Sequence, residues 1–487
     1  LEAHTASDGI TRTFVYDPTT GFLVSKTVGG LATTFEYGGA AGSRGLVTSQ
    51  ADTRGVVTTF EHDARNQLIT TTTGTSVTKH SYDENGYCVR TSQTVDDGRE
   101  FVEERTFNQF GFMTEQRVRS VEVNGEVNDL VTLYEPDEVH RVKTVIQPTG
   151  IRHEMTYDHA GRLTRLSVPD AGYEEAYTYD LNGNLKTTQV GASTEEKFYD
   201  GHDRLIAVRD ARGSLRAMTL NASGHAVVET VSDAAGELLS AVSREYDAHD
   251  RCTAVIVSSS AGTSTTTYAY NPTERTMTVT DAKGAVATLV YDAAGRVVRE
   301  ETPNRVAVNS HDGGGNVTQR TITDGSMTFT ETHTYDELGH LVRTADSLGQ
   351  ETVMEVGEDG RLKAVTDRES HRRTTEHTLL GEPSSELSAA GVLKFMEYGL
   401  TRDTTAIADA ASQTQVYEQD TDGRLVSETS PAGDTTDYSG FNAFRQATLA
   451  SYPGGVSVES TYDVAGQMTR RTVTGPGGTH TEDYAYD

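Results

Sequence analysis

No tryptophan occurs in the 487 residues, cysteine appears only twice and proline ten times. Apolar residues make up only 35% of the chain and mean hydropathy is −0.51. A layered α/β enzyme of this size is normally richer in apolar residues, so that class is disfavoured. No apolar stretch approaches the ~20 residues that a membrane helix needs, so this segment carries no membrane span. Basic residues are also scarce: 42 Lys and Arg stand against 72 Asp and Glu, a formal charge of −30. With no basic run to offset that excess, the chain repels phosphate backbones, and nucleic acid is excluded as a partner. The acid is spread along the chain rather than blocked into a tail, which reads as solubility. What is plentiful is Thr, Val, Tyr and Gly, the composition of many short strands joined by turns.

The strands belong to a repeat. The string Tyr157-Asp158-His159-Ala160-Gly161-Arg162-Leu163 returns at Tyr291-Asp292-Ala293-Ala294-Gly295-Arg296-Val297. Further copies stand at Tyr16-Asp17, Tyr82-Asp83 with Gly86, Tyr179-Asp180 with Gly183, Tyr199-Asp200, Tyr246-Asp247, Tyr335-Asp336 with Gly339, and Tyr462-Asp463 with Gly466. Weaker copies fill the gaps: Phe107-Asn108, Leu220-Asn221, His311-Asp312, and Val356 with Gly360. One such string means nothing; a dozen or more at a period of ~20–25 residues is a strong signal. It predicts one continuous array of about twenty repeats over 1–487. The chain opens without Met or a signal sequence and closes on Tyr486-Asp487, the start of another repeat. We therefore read it as cut at both ends from a longer protein, so missing targeting signals are uninformative.

Degenerate copies expose the physics. The Gly slot holds Asn66 after His62-Asp63, Asp203 after Tyr199, and Asp250 after Tyr246. Gly, Asn and Asp are the residues that tolerate a left-handed backbone, so the slot is expected at positive φ in a hairpin turn. The Asp after the aromatic is placed to accept turn amides. Two positions past the Gly comes an apolar residue (Leu163, Leu185, Leu205, Val297, Leu341, Met113, Met468) that begins the next strand. Cys88 and Cys252 occupy that slot, so both are expected as small core residues rather than nucleophiles or ligands. A second turn, such as Val168-Pro169-Asp170-Ala171-Gly172, divides each repeat. Two strands per repeat then predict some forty strands, with little helix. One hairpin cannot fold alone, but stacked hairpins can, each lining up its Tyr and Leu with the next.

The motif at this spacing resembles the Rhs/YD-repeat family, which includes bacterial polymorphic toxins, the cocoons of insecticidal toxin complexes, and the animal teneurins. The resemblance runs from Tyr16 to Asp487 and implies an all-β fold: a long antiparallel sheet wound into a spiral hollow shell. It further implies a secreted or cell-surface protein whose shell encloses a polypeptide from the same or a partner chain, a C-terminal toxin above all. Toxin members follow their repeats with a self-cleaving aspartyl segment containing a DPxGL-like motif. The nearest string here, Asp17-Pro18-Thr19-Thr20-Gly21-Phe22-Leu23, sits near the start in an ordinary repeat turn and lacks the match, so self-cleavage is not carried over.

Strings that could carry chemistry have simpler readings. His153-Glu154 and His159 are spaced HExxxxH rather than HExxH, and fit strand residues beside a turn. Glu418-Gln419-Asp420-Thr421-Asp422-Gly423 resembles half a calcium loop, but Glu428 falls at the eleventh position where the twelfth is required. Gly313-Gly314-Gly315 lacks a following Lys-Ser/Thr and reads as a loosened turn. The fifteen His are expected as solvated surface. No catalytic, cofactor-binding or metal residue is assigned, no cofactor is expected, and the repeat anchors are structural. The alternative to a shell is an extracellular adhesin whose repeats form a rigid scaffold contacting cell-surface glycans or receptors.

Overall fold

Thr, Val and aromatic side chains alternating between turn residues give strands, and turns of fixed length give an antiparallel meander. The computed structural model describes residues 2–5, 10–38, 45–94, 99–123, 126–260, 262–357, 359–399, 402–409, 411–420 and 423–486. They form 44 strands in one sheet. The pairings join strands consecutive in the chain, all antiparallel, as in Arg152–Tyr157 with Leu163–Val168 and Leu163–Val168 with Tyr173–Tyr179. The helical element among the described residues is one 3-10 turn, Pro169–Ala171, inside the second turn anticipated there, and it ends at Gly172 with φ 62°.

By its contacts the chain divides into two compact units, each assembled from separate stretches. One comprises Leu1–Glu104, Tyr246–Ala254 and Thr265–Gly391; the other comprises Arg105–Glu245, Val255–Ser264 and Val392–Asp487. Each unit thus contains an early and a late pass of the meander.

The strand register assigns the two faces. Tyr157 pairs with Leu163, Val168 with Tyr173, and Tyr179 with Leu185, so aromatic and aliphatic residues gather on one face. On the other face Arg165 forms an ion pair with Glu174 at 2.6 Å, and the hydroxyls of Thr178 and Thr187 lie 2.6 Å apart. That polar face has its own packing rule. Thr144, Ala207, Ala364, Ser385 and Ser427 are all buried, each two positions past the apolar slot. They lie opposite Glu135, Phe198, Glu355, Glu376 and Glu418 in the preceding strand, whereas in other repeats the same slot holds a half-exposed arginine such as Arg165.

Three expectations need correction. Cys88 and Cys252 form no disulfide and are only half-buried rather than core residues. His311 and His333 have buried ring Nδ1 atoms rather than solvated ones, since the aromatic rows accept any planar ring. Gly313-Gly314-Gly315 is no loosened turn. A Cβ at Gly313 would overlap the Thr53 carbonyl, and one at Gly314 would overlap the Arg54 side chain, so this turn is held tightly against another.

Candidate functional site: a clamp between repeats

Each turn of the Tyr-Asp motif is closed by the same pair of backbone bonds. In the copy at Asp158, the Asp158 amide donates to the Arg162 carbonyl at 2.9 Å and the Gly161 amide donates to the Asp158 carbonyl at 3.0 Å. The strand register shifts at the aromatic residue, so the turn ends in a β-bulge whose last residue is left-handed. That residue has φ 90° at Gly86, 83° at Gly161, 96° at Gly183, 83° at Gly295, 90° at Gly339 and 80° at Gly466. Asn66 (67°), Asp203 (60°) and Asp250 (60°) adopt the same conformation. At Tyr16-Asp17 the turn is one residue longer: Gly21 donates to Asp17, and the Asp17 carboxylate accepts the amides of Thr19 and Thr20.

The Asp side chain organises the turn. Asp158 Oδ1 accepts the amides of Ala160 and Arg162, and Oδ2 accepts Arg162 Nε at 2.7 Å. Asp180, Asp247, Asp292 and Asp463 likewise accept amides two and four positions on. Asp83 accepts Asn85 and Tyr87, and Asp336 accepts both the amide and Nδ1 of His340. These bonds favour the ionised form. The Arg204 guanidinium and the amides of His202 and Arg204 pull the Asp200 pKa down to about 2, and Arg251 does the same to Asp247. Several second turns, at Asp52, Asp210, Asp281 and Asp367 among others, use the same bonds without the flanking Tyr.

The Arg after the Gly slot then reaches beyond its own turn. Arg162 NH1 donates to the Asp180 carbonyl of the next repeat, and its guanidinium lies 4.6 Å from the centroid of the Tyr179 ring. Arg141 repeats this on Asp158 and Tyr157, and Arg251 covers Tyr270 at 4.5 Å. Arg204 and Arg296 reach the carbonyls of Asn221 and Asp312. Coming the other way, Tyr179 Oη donates to the Leu163 carbonyl at 2.7 Å. The same bond joins Tyr82 to Leu68, Tyr157 to Val142, Tyr199 to Leu185, Tyr335 to Val317 and Tyr462 to Ala447. Burial raises the pKa of Tyr157 and Tyr335, so these hydroxyls stay protonated donors. Tyr16, by contrast, is exposed. At Arg141–Tyr157 and Arg162–Tyr179 a cation–ring contact and two hydrogen bonds fasten one repeat to the next, and other junctions keep one or two of these contacts.

A second set of contacts joins passes far apart in sequence. Arg99 donates to the His377 carbonyl, 278 residues on, within one unit; Arg212 donates to Gln467 Oε1, 255 residues on, within the other. The hairpin at Gly29 abuts Ala293 and Ala294, Thr53 abuts Gly313, and Gly191 abuts Ala443. Where both turns are described, a second turn of the early pass meets a Tyr-Asp-type turn of the late pass. Clefts lie along these junctions. One of about 580 Å³ lies between Ile151, Val168 and Tyr173 on one side and Asp403, Phe444 and Arg445 on the other. Another, of about 260 Å³, is lined by Ile10, Tyr270, Met277 and Tyr291.

Other sequence strings fall as follows. His153 is a strand residue lining the first cleft, and His159 is in a turn. Asp420 accepts Arg424 in a repeat turn; Thr421 and Asp422 of the half calcium loop lie outside the described residues, as does Asp487. Among the described residues the acidic grouping with metal-ligand spacing is half-buried Asp367 with exposed Glu369 and His371, in a second turn. No helix among them is long and apolar enough to cross a membrane.

A family model described as the teneurin YD-shell matches residues 53–360. Among solved structures, TcdB2-TccC3 without its hypervariable C-terminal region aligns over 97% of this chain and 35% of that one, with TM-score 0.61 and 12% identity. The TcdB2-TccC3-Cdc42 structure aligns over 97% and 35%, with TM-score 0.58 and 13% identity. The Photorhabdus luminescens Tc holotoxin pore with a TccC3 variant aligns over 97% and 34%, with TM-score 0.57 and 12% identity. The chain spans about a third of the length of the structures it matches. At such identities the likeness shows the fold. No curated relative matches the chain.

Proposed function

Because the chain belongs to the teneurin YD-shell family, we propose that its single array of about twenty repeats is the wall of a β-shell enclosing a polypeptide. The observation that carries this is the recurrence, in a sheet of 44 strands, of repeat-to-repeat bonds made by the same arginine and tyrosine slots. A clamp of this kind fixes hairpins side by side and does no chemistry. The matched structures named for toxin-complex components share the fold, and one is described as lacking a hypervariable C-terminal region. We assign the present chain the corresponding role, with a C-terminal toxin as cargo and a secreted or cell-surface location.

The side chains suit that role. Only one or two aromatics per repeat line the Tyr/Leu face, too little to fill the interior of a wide closed sheet with side chains. A water-accessible lumen follows. The role requires no catalytic group of the wall itself.

Limited proteolysis of the full-length protein tests the reading. Intact repeats are expected to protect the enclosed segment until denaturant opens the wall, after which both are digested together. A downstream segment cut as fast as the same segment expressed alone overturns enclosure and leaves the rigid-scaffold alternative, in which the repeats contact cell-surface glycans or receptors.

A further inference from the structure

On the polar face, a small residue two positions past the apolar slot lets the strands on either side of it reach across. Over Thr144, Glu135 on one strand and Arg152 two strands on close to 3.4 Å. Over Ala364, Glu355 and Arg372 close to 2.6 Å in the same way. In both copies the arginine stands opposite the residue two beyond the small one, Ile146 in the first and Thr366 in the second. Thr144 and Ala364 are each 2% exposed beneath these pairs.

One copy, in the unit containing Val392–Asp487, keeps the carboxylate and the small residue but not the arginine. Ala406 lies opposite Glu397, and Ala408 lies opposite Thr414, which stands where Arg152 and Arg372 stand in the other copies. The result is an open trough of about 720 Å³. Ala406 and Ala408 form its floor, Phe395 and Glu397 one wall, and Val416 and Glu418 the other. Ala406 is only half-buried, and Phe395 and Val416 are 42% and 37% exposed. Glu397 and Glu418 form no ion pair among the described residues. From Asp403 to Phe444 the one basic residue is Arg424, and it is held by Asp420 in its own turn. The three strands concerned, Gly391–Tyr398, Thr404–Asp409 and Thr414–Gln419, lie within the sheet, with further strands before and after them.

We propose that this trough binds an arginine side chain presented by a basic segment of a polypeptide. The guanidinium meets Glu397 in the two-pronged geometry that suits a carboxylate, and its stem lies along Ala408 and Val416. The Phe395 ring offers its face to the cation. Glu418, across a trough ~10 Å wide, takes a second basic residue of the same segment. The occupant is the one the other copies already contain, since Arg152 and Arg372 cover their small residues by this geometry. Two separated carboxylates in an open site favour two charges held in one chain over one free molecule. The pairs stay partly exposed, so binding is weak and falls as salt rises. The inference is independent of whether the repeats enclose a polypeptide or serve as a rigid scaffold.

Fluorescence anisotropy at low salt, with a labelled Ala/Thr hexapeptide carrying two arginines, tests it. The wild-type protein is expected to bind this peptide saturably, and the same peptide with two lysines several-fold more weakly. Glu397→Gln with Glu418→Gln should weaken binding at least tenfold. Glu237→Gln with Glu274→Gln removes the same charge from two exposed turns and should leave binding unchanged. Thr414→Arg supplies the missing partner of Glu397 from within, and should also weaken binding at least tenfold without lowering Tm. Free arginine should need at least tenfold higher concentration than the peptide. Circular dichroism confirms that each variant keeps its strands. Four outcomes each overturn the proposal: no saturable binding, trough variants that bind as tightly as wild type, an equal loss in the control pair, or lysine peptide or free arginine binding as tightly as the arginine peptide.

Discussion

Three adjacent glycines, Gly313, Gly314 and Gly315, should respond to alanine for three different physical reasons. At Gly313 the added methyl would overlap the Thr53 backbone carbonyl, which can yield only if the two turns separate. Overpacking of this kind costs about 1–3 kcal/mol. At Gly314 the methyl meets the Arg54 side chain, which can swing aside at the expense of its ion pair with Asp52 at 2.8 Å, a loss of under ~1 kcal/mol. At Gly315 space is open but φ is 94°, so Ala is strained by ~1–2 kcal/mol, and Asn is milder because its short polar side chain is tolerated in left-handed turns. A global melt would blur these effects in a long repeat chain. Hydrogen exchange resolves them through the turn at Asp52, whose amide donates to Val56 and whose carbonyl accepts Gly55. Gly313→Ala should accelerate exchange there by roughly 5- to 150-fold, the kinetic equivalent of about 1–3 kcal/mol. Gly315→Ala should accelerate exchange only within its own hairpin. If Gly313→Ala leaves the Asp52 turn unchanged, or Gly315→Ala loosens it equally, the assignment of close approach to one glycine and backbone strain to the other is wrong.

The clamp makes further predictions. Tyr179→Phe removes the donor to the Leu163 carbonyl and should cost about 1 kcal/mol, read as faster exchange in both flanking repeats. Ala364→Leu puts a branched side chain where exposure is 2% and Glu355 lies opposite, and should destabilise by about 1–3 kcal/mol in thermal unfolding, while Ala364→Ser should be tolerated. The pKa values of Asp200 and Asp247 are held at about 2 against an ordinary 3.8, so their contribution is complete above about pH 4 and is lost as pH falls through 2. NMR titration of the two carboxylates should show it, and Arg204→Gln should raise the Asp200 midpoint alone.

Much of the local architecture was legible in the sequence, because turn chemistry is local. The slot shared by Gly161, Asn66 and Asp203 declares a left-handed backbone whatever the neighbours, and strand number follows from counting turns. The clamp was only half visible. Arg162 is plain in the motif, but its reach to the Asp180 carbonyl and the Tyr179 ring depends on how far adjacent hairpins are staggered, which no string of seven residues encodes. The small-residue slot escaped because Thr144, Ala207 and Ser427 share volume rather than chemistry. The glycine triplet was misread for a related reason: what it makes room for, Thr53, lies far back along the chain.

The two kinds of contact differ in what would break them. Neighbouring hairpins are laced by ladders of strand bonds with arginine or tyrosine clamps at many of their turns, whereas distant passes meet through glycine-to-turn contacts and isolated bonds such as Arg99 to His377 and Arg212 to Gln467. Such a wall has a seam. Under load it should part along that seam, pass from pass, with every hairpin still folded, and a single-molecule pulling trace would record many small openings before the first strand is lost.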